Sequence, residues 1–378
     1  MLRNFSYIIK SLLFFLLGVV VKRRYDVVFY YPQHFNRGVN NENQFFKHLL
    51  QSCDCNSISY IVFEEPDFTV KNNRNDKAIP FDFLYLLILF LRKLYGSKIS
   101  DELKDKKIGG FIAKLFFRQF SFKNFITLSQ SMLSIFRGIN SDAILFDLQH
   151  GIIHNNKENY LMNGKAESNL VCNDAHLLLS GASYKDILLE NERLNYFQTH
   201  AFVIGANISS NNNRHQEFNS NILITLQFTH DHTAEQNDIL FKQLCDFISS
   251  ENTEVNFYLK HHPRFNNEID LSNIFKQPNV LMAPNDINES FNLCSLHATT
   301  YSTSTFDAAL LGIPTIFIKG STDFNFFNFN SELNYPIAHS IDSFKDINIY
   351  KNSAEVVKSW ARKYYSSFNS EKFISLLK

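Results

Sequence analysis

The stretch Val255-Asn256-Phe257-Tyr258-Leu259-Lys260-His261-His262-Pro263 decides how this 378-residue chain is read. Val255 to Leu259 has the make-up of a buried strand, and Pro263 turns the chain out at the sheet edge. Cationic and imidazole groups therefore gather at a strand end, with Arg264 next in sequence. Further on, Thr300-Tyr301-Ser302-Thr303-Ser304-Thr305-Phe306-Asp307 leads into Ala308-Ala309-Leu310-Leu311-Gly312-Ile313-Pro314, a helix opened by hydroxyls. Helix N–H groups and the positive end of the helix dipole favour an anion, and Ser and Thr add donors without a charge to desolvate. The pairing suits the phosphate of a nucleotide at Lys260, His262, Pro263, Ser302, Thr303 and Ser304. The plainer alternative is a surface loop followed by an ordinary N-cap, which Ser and Thr also favour.

Working outward, strands alternate with helices. Tyr25 to Tyr31 and Ser57 to Phe63 read as strands around a helix from about Glu42 to Gln51. Ala143 to Asp147, His176 to Leu179 and Ala201 to Ile204 follow, with a helix from Tyr184 to Glu192. Gly205 to Asn221, rich in Asn and Ser, reads as a linker. Beyond it come strands at Asn221 to Leu226, Val255 to Leu259, Val280 to Met282 and Thr315 to Ile318, and helices at Glu235 to Ser249 and Ile287 to Cys294. Such alternation predicts parallel sheets with crossover helices, in two Rossmann-like domains. The expected segments are 1–24, an apolar and basic helix; 25–207, an acceptor-binding domain; 220–350, a nucleotide-binding domain; and 351–378, a helix over Ala354 to Leu377 packing back on the first domain. Phe81 to Leu94 and the Phe-rich Gly109 to Phe136 read as core helices, with docking on a membrane as the alternative.

Composition narrows the class. The chain is 45% hydrophobic and 20% charged, as a globular protein is, and its 37 Lys and Arg balance 37 Asp and Glu. A general nucleic-acid binder would show a basic excess, so none is expected as a partner. The 39 Phe against 12 Gly fit an AT-rich genome and carry little functional weight. Five cysteines without a C-x-x-C spacing fit a reducing compartment, and the cytoplasm is the expected location. Ser11 to Val21 is apolar and flanked by Lys10 and by Lys22-Arg23-Arg24. It is shorter than the roughly 20 residues of a spanning helix and lacks a small-residue cleavage site. Two readings stand for it: a helix in the membrane interface, or a first helix packed on the protein.

Lys260-x-His262-Pro263 followed by Tyr301-Ser302-Thr303-x-x-Phe306-Asp307 resembles the paired motifs of bacterial CDP-glycerol glycerophosphotransferases, and the His-Pro and Ser-Ser/Thr motifs of bacterial sialyltransferases and capsule Kdo transferases. Gln149-His150-Gly151 sits where the glycerophosphotransferases carry a His-Gly pair after a strand. The resemblance covers about the second half of the chain and implies the GT-B architecture, α/β, with two Rossmann-like domains facing a cleft. It implies a donor nucleotide on the C-terminal domain. Asp307 is then where such folds place a carboxylate for ribose hydroxyls, or simply an Asp complementing the helix dipole.

Transfer to a hydroxyl needs a base, and imidazole titrates near neutral pH. His150 is the candidate, with Asp147 to orient it or replace it; a Gln-His-Gly turn that merely ends a strand is the alternative. His34, Arg37 and His154 are candidates for acceptor contacts. His230, His232, His261, His262 and His297 could approach one another, but thirteen scattered His cluster by chance, and no Asp-x-Asp pattern is present. No metal and no cofactor is expected. The expected activity is an inverting glycosyltransferase that moves a sugar from a nucleotide-sugar donor to a glycan or lipid-linked glycan acceptor in bacterial capsule or O-antigen synthesis, as a cytoplasmic protein that can lie on the inner face of the plasma membrane. CDP-polyol phosphate transfer, nucleotide-sugar epimerisation and an inactive scaffold are the alternatives.

Overall fold

The computed structural model describes residues 2–36, 41–68, 74–96, 99–154, 160–208, 217–229, 231–250, 254–263, 265, 269–318 and 327–378, and side chains from Phe5 onward. The chain forms two compact units, residues 1–208 with 366–378 and residues 209–365.

The first unit begins with α1 (Leu2–Gly18), β1 (Arg23–Pro32), α2 (Lys47–Cys55), β2 (Tyr60–Glu65) and β3 (Ile79–Pro80). It continues through α3 (Asp82–Tyr95), α4 (Asp101–Phe116), β4 (Phe120–Leu128), α5 (Leu133–Ile139) and β5 (Ile144–Leu148). A short hairpin follows, β6 (Leu161–Met162) and β7 (Lys165–Ala166), then α6 (Ser168–Cys172), β8 (Ala175–Leu179), α7 (Ala182–Asn191), α8 (Tyr196–His200) and β9 (Ala201–Val203). Seven strands pair in the order β3-β2-β1-β4-β5-β8-β9, all in parallel. Alternation along β1 sends Val27, Phe29 and Tyr31 to one face, where they pack with Leu49 of α2. Tyr30 faces the other side, against Phe81, Phe125 and Phe136. There α1, α3, α4 and α5 cover the sheet, with Phe15 of α1 seated on Phe63, Phe81 and Phe117.

The segment Gly109 to Phe136 departs from its helical reading, because β4 runs through its middle and pairs with both β1 and β5. Only Phe120 to Lys123 alternates between core and solvent; Asn124 to Leu128 is buried on both faces, and there periodicity does not separate a strand from a buried helix.

In the second unit β10 (Asn221–Thr225), α9 (Ala234–Ser250), β11 (Asn256–Lys260), β12 (Val280–Met282), α10 (Ile287–Leu293), β13 (Leu296–Thr299), α11 (Ser304–Leu310) and β14 (Thr315–Phe317) follow in turn. The parallel sheet has the order β12-β11-β10-β13-β14. After α12 (Phe329–Leu333), α13 (Ile347–Tyr364) packs on α11, with Trp360 stacked on Phe306 at 4.8 Å. The helix expected over Ala354 to Leu377 is thus two. The chain leaves the second unit after Tyr365, and only α14 (Ser370–Leu376) packs in the first, burying Phe373 and Ile374 beside α2. Residues 209–216, about half of the expected linker, lie outside the described residues; at its start Gly205 approaches the returning chain so closely that a Cβ would meet the Ser367 carbonyl at 2.3 Å.

Helices α4 and α5 meet through backbone. A Cβ on Gly109 would lie 2.1 Å from the Ile135 carbonyl, whereas one on Gly110 has ordinary clearance, 3.8 Å from the nearest atom. Gly109→Ala is expected to destabilise the fold by about 1–3 kcal/mol, while Gly110→Ala is expected to be neutral or stabilising by up to ~1 kcal/mol. Thermal melting of the pair measures the difference; equal melting temperatures would show that the two helices are not in backbone contact.

Candidate functional site

In an open parallel sheet the strands all end on one edge, and loops part where the strand order reverses, leaving a crevice that ligands use. In the second unit the reversal lies between β10 and β13. Thr225 closes β10 and Thr299 closes β13, and the Thr299 hydroxyl donates to the Thr225 carbonyl at 3.0 Å. Behind this tie His297 is fully buried. Its Nε2 lies 2.9 Å from the Thr225 hydroxyl and 3.2 Å from the Ser304 hydroxyl, and its Nδ1 lies 2.9 Å from that of Thr315. Burial pushes His297 down to about 3, so the ring is neutral and offers one donor and one acceptor.

The network surfaces at the start of α11. Thr225 and Ser304 hydroxyls are 3.0 Å apart, and Ser304 Oγ donates to Ser302 Oγ at 2.8 Å. Ser302 Oγ also accepts the Ser304 N–H at 3.3 Å, so its own proton is not used within this chain of hydroxyls. Thr303 is exposed and makes no side-chain cap, and Asp307 is exposed on the first turn. Tyr301 bonds to His232 Nε2, whose Nδ1 is 3.3 Å from Oδ1 of the buried Asn237. Because the Asn237 amide donates to the Thr229 carbonyl, its oxygen faces the ring, which is therefore protonated at Nδ1 and accepts from Tyr301.

Lys260 is the pairing partner of Thr225 on β11, which puts the Lys-x-His-Pro stretch directly beside the hydroxyl network. Its ammonium is held by the Pro284 and Asn285 carbonyls, and burial lowers its pKa. His262 is half-buried at the strand end and Pro263 is exposed. His261 stacks on Phe265 at 4.0 Å. The donor candidates thus share one edge of one sheet. Arg264 and His230 lie outside the described residues. Among the described residues no group of three His, Cys, Asp or Glu is arranged to hold a metal ion.

In the first unit the reversal lies between β1 and β4. His34 and Phe35 follow β1 in a single 3-10 turn, and His150 follows β5. The Phe35 ring contacts both imidazoles, 4.2 Å from His34 and 4.6 Å from His150, with Phe45 at 5.6 Å from His150. His34 Nδ1 is 3.5 Å from the Asp67 carboxylate. Gln149 fixes the loop: its oxygen accepts from the Ser180 N–H and hydroxyl, and its amide donates to the Gly151 carbonyl. Gly151 has φ +72°, a left-handed conformation that costs glycine no Cβ clash. His154 is half-buried three residues on, and Arg37 lies outside the described residues.

Asp147 does not meet the expectation of a carboxyl reaching the His150 ring. It is fully buried; its Oδ1 accepts the Gln130 N–H at 2.6 Å, and Tyr160 lies against the same carboxyl. Tyr160 in turn accepts the backbone N–H of His150 at 3.3 Å. The carboxyl therefore positions loops. Ser129, Gln130 and Met132, just after β4, all have left-handed backbones, a local strain of order 1 kcal/mol each that such anchors offset. Burial pushes Asp147 up to about 8. Sequence alone does not reveal Thr225 or the hydrogen-bonding roles of His232 and His297. Its only signals for them are a Thr at a strand end and His residues in stretches without a legible pattern.

No family model matches the chain, and neither does any curated protein sequence. Solved structures are similar in fold. The wall teichoic acid polymerase TagF aligns at TM-score 0.51 and 13% identity over 100% of this chain and 96% of that one. The UDP-GlcNAc 2-epimerase from Methanocaldococcus jannaschii aligns at 0.52 and 13% over 94% and 99%. The chain has the GT-B fold, α/β with two Rossmann-like parallel-sheet units.

The Asp147 geometry has a pH consequence. An unfolded Asp loses its proton near pH 4, whereas the folded carboxyl holds it to about pH 8. Its contribution to stability is complete below pH 4 and is lost as pH rises through 8. Asp147→Asn removes this dependence, so its melting temperature is expected to fall less than that of the parent between pH 5 and pH 9. Parallel profiles would show that the carboxyl is not held protonated.

Proposed function

We propose that this protein is a metal-independent, inverting glycosyltransferase that moves a sugar from a nucleotide-activated donor to a glycan or lipid-linked glycan during assembly of a bacterial surface polysaccharide. One observation carries the reading. Lys260, Thr225 and the Ser302–Ser304 hydroxyls occupy neighbouring strand ends at the reversal point of a GT-B nucleotide-type sheet. Parallel strands are about 4.8 Å apart, so the edge from β11 to β13 spans roughly 10 Å, the scale of a diphosphate with its flanking groups.

In this reading the second unit holds the donor. Ser302, Thr303 and Ser304 give hydrogen bonds to the phosphates, and Lys260 and His262 add positive potential at the leaving oxygen. Pro263 directs the loop, and Asp307 accepts from the ribose. His150 in the first unit takes the proton of the acceptor hydroxyl as that oxygen attacks the anomeric carbon, and the bonding pair leaves with the nucleotide phosphate. Such attack from the opposite side inverts the centre. The aromatic edges of Phe35 and Phe45 hold the imidazole in place, and His34, His154 and Arg37 line the acceptor side. Asp147 assists by fixing the His150 backbone.

A second reading, transfer of a polyol phosphate from a CDP-polyol, is favoured by the full-length likeness to a teichoic acid polymerase and uses the same phosphate contacts. A screen of CMP-, CDP-, UDP- and GDP-linked donors separates the two by product. Work on a lipid-linked acceptor places the protein in the cytoplasm, on the inner face of the plasma membrane.

His150→Ala is expected to bind the nucleotide as the parent does and to lose about a hundred- to ten-thousand-fold in turnover. His262→Ala is expected to bind it poorly. Near-normal turnover by folded His150→Ala would remove the base from this histidine. Turnover is also expected to survive EDTA; loss on chelation, restored by manganese or magnesium, would replace side-chain stabilisation of the leaving phosphate by a metal.

A further inference from the structure

Three helices on the same face of the first unit carry apolar stripes outward. On α1 these are Phe5, Ile9, Leu13, Leu16 and Leu17, recurring every three or four residues, and Val20 and Val21 continue the stripe into the next turn. Leu86, Phe90 and Leu94 do the same on α3, and Leu103, Phe111 and Leu115 on α4. The opposite sides of these helices bury Phe15, Leu84, Ile88, Ile108 and Ile112, so the stripes point away from a common core. Exposed apolar side chains occurring singly need no explanation, but a face built by three packed helices does.

Charge indicates what covers it. Residues 1–25 contain five Lys and Arg and no Asp or Glu, in a chain whose charges balance overall. Lys10, Lys22 and Arg24 are exposed, and Lys93, Lys107 and Lys114 are exposed among the stripes of α3 and α4. Arg23 is committed to α1 itself, its guanidinium 4.0 Å from the Phe14 ring centroid. The acidic groups of these helices are the buried Asp82 of α3, paired with Arg74, and Asp101, Glu102 and Asp105 in the first two turns of α4. There Asp101 pairs with Lys104, Asp105 with Arg92, and Glu102 accepts from Ser168. Among the described residues no helix is long and apolar enough to cross a membrane. An apolar face studded with basic residues and too short to span lies in the headgroup region of an anionic bilayer.

We infer that α1, α3 and α4 together form a docking face for an anionic lipid surface. This goes beyond the transferase reading and does not rest on it. Under that reading the face favours a lipid-linked acceptor over a free glycan, since it continues toward the candidate acceptor residues. Phe68 is half exposed and contacts Tyr85 of α3, and its neighbour Asp67 pairs with His34. A lipid-linked acceptor would therefore enter from this side.

The test is flotation of the full chain with vesicles of phosphatidylcholine alone or with a third phosphatidylglycerol. Binding is expected only to the anionic vesicles, and to weaken between 0.1 and 0.5 M salt as the Debye length shrinks. Lys22→Ala with Arg24→Ala should weaken partitioning roughly 25-fold, since each basic residue near an anionic surface contributes about fivefold. Leu13→Glu with Phe90→Glu should abolish it. All are surface changes, so melting temperature and nucleotide binding should stay at parent values; loss of nucleotide binding in the parent would defeat the transferase reading and leave docking intact. No flotation by the folded parent, equal flotation with neutral vesicles, or a dimer in solution that Leu13→Glu dissociates would overturn the inference.

Discussion

Parallel pairing is the constraint on which everything else in this molecule depends. A strand that pairs in parallel with its neighbour must be followed by a crossover, so each connection returns the chain to the same end of the sheet. Every strand then finishes on one edge, and residues far apart in sequence become neighbours there. Thr225, Lys260 and Ser304 come from three separate stretches, yet they stand side by side because β10 pairs with both β11 and β13. The same constraint brings His34 and His150 into contact with one ring, Phe35.

Buried polar groups make these edges specific. A polar side chain taken out of water must find partners or change its charge state. His297 stays neutral and is met by three hydroxyls, which in turn set the direction of Ser304 and Ser302. Asp147 keeps its proton and anchors a turn of left-handed residues. Arg74 joins two buried carboxylates, Glu64 at 2.9 Å and Asp82 at 2.6 Å, close to the end of β2. Breaking such a pair would strand a charge in the core, which is why these contacts fix loops more firmly than exposed ion pairs do. The abundant Phe has a structural role as well: it fills the face beneath α1, α3, α4 and α5 with offset and edge-on ring pairs.

By itself the sequence determined the class of the fold and the positions of most of its elements. Apolar runs closed by Pro, Gly or polar residues mark strands, and amphipathic spacing marks helices; both signals are local and survive in a single chain. It also placed Lys260, His262 and His150 at strand ends, because a change from apolar to polar character is visible where a strand leaves the core, and Ser302 at the start of a helix. Tertiary structure decided the rest. A stretch buried on both faces has no alternation to read, which hides β13 and the second half of β4, one strand in each sheet. Whether a carboxyl is a base or an anchor depends on what surrounds it, and only the fold put Gln130 and Tyr160 around Asp147. The split of the C-terminal segment into α13 and α14 depends likewise on which core each apolar stripe meets, a property of the assembled sheets that no local pattern contains.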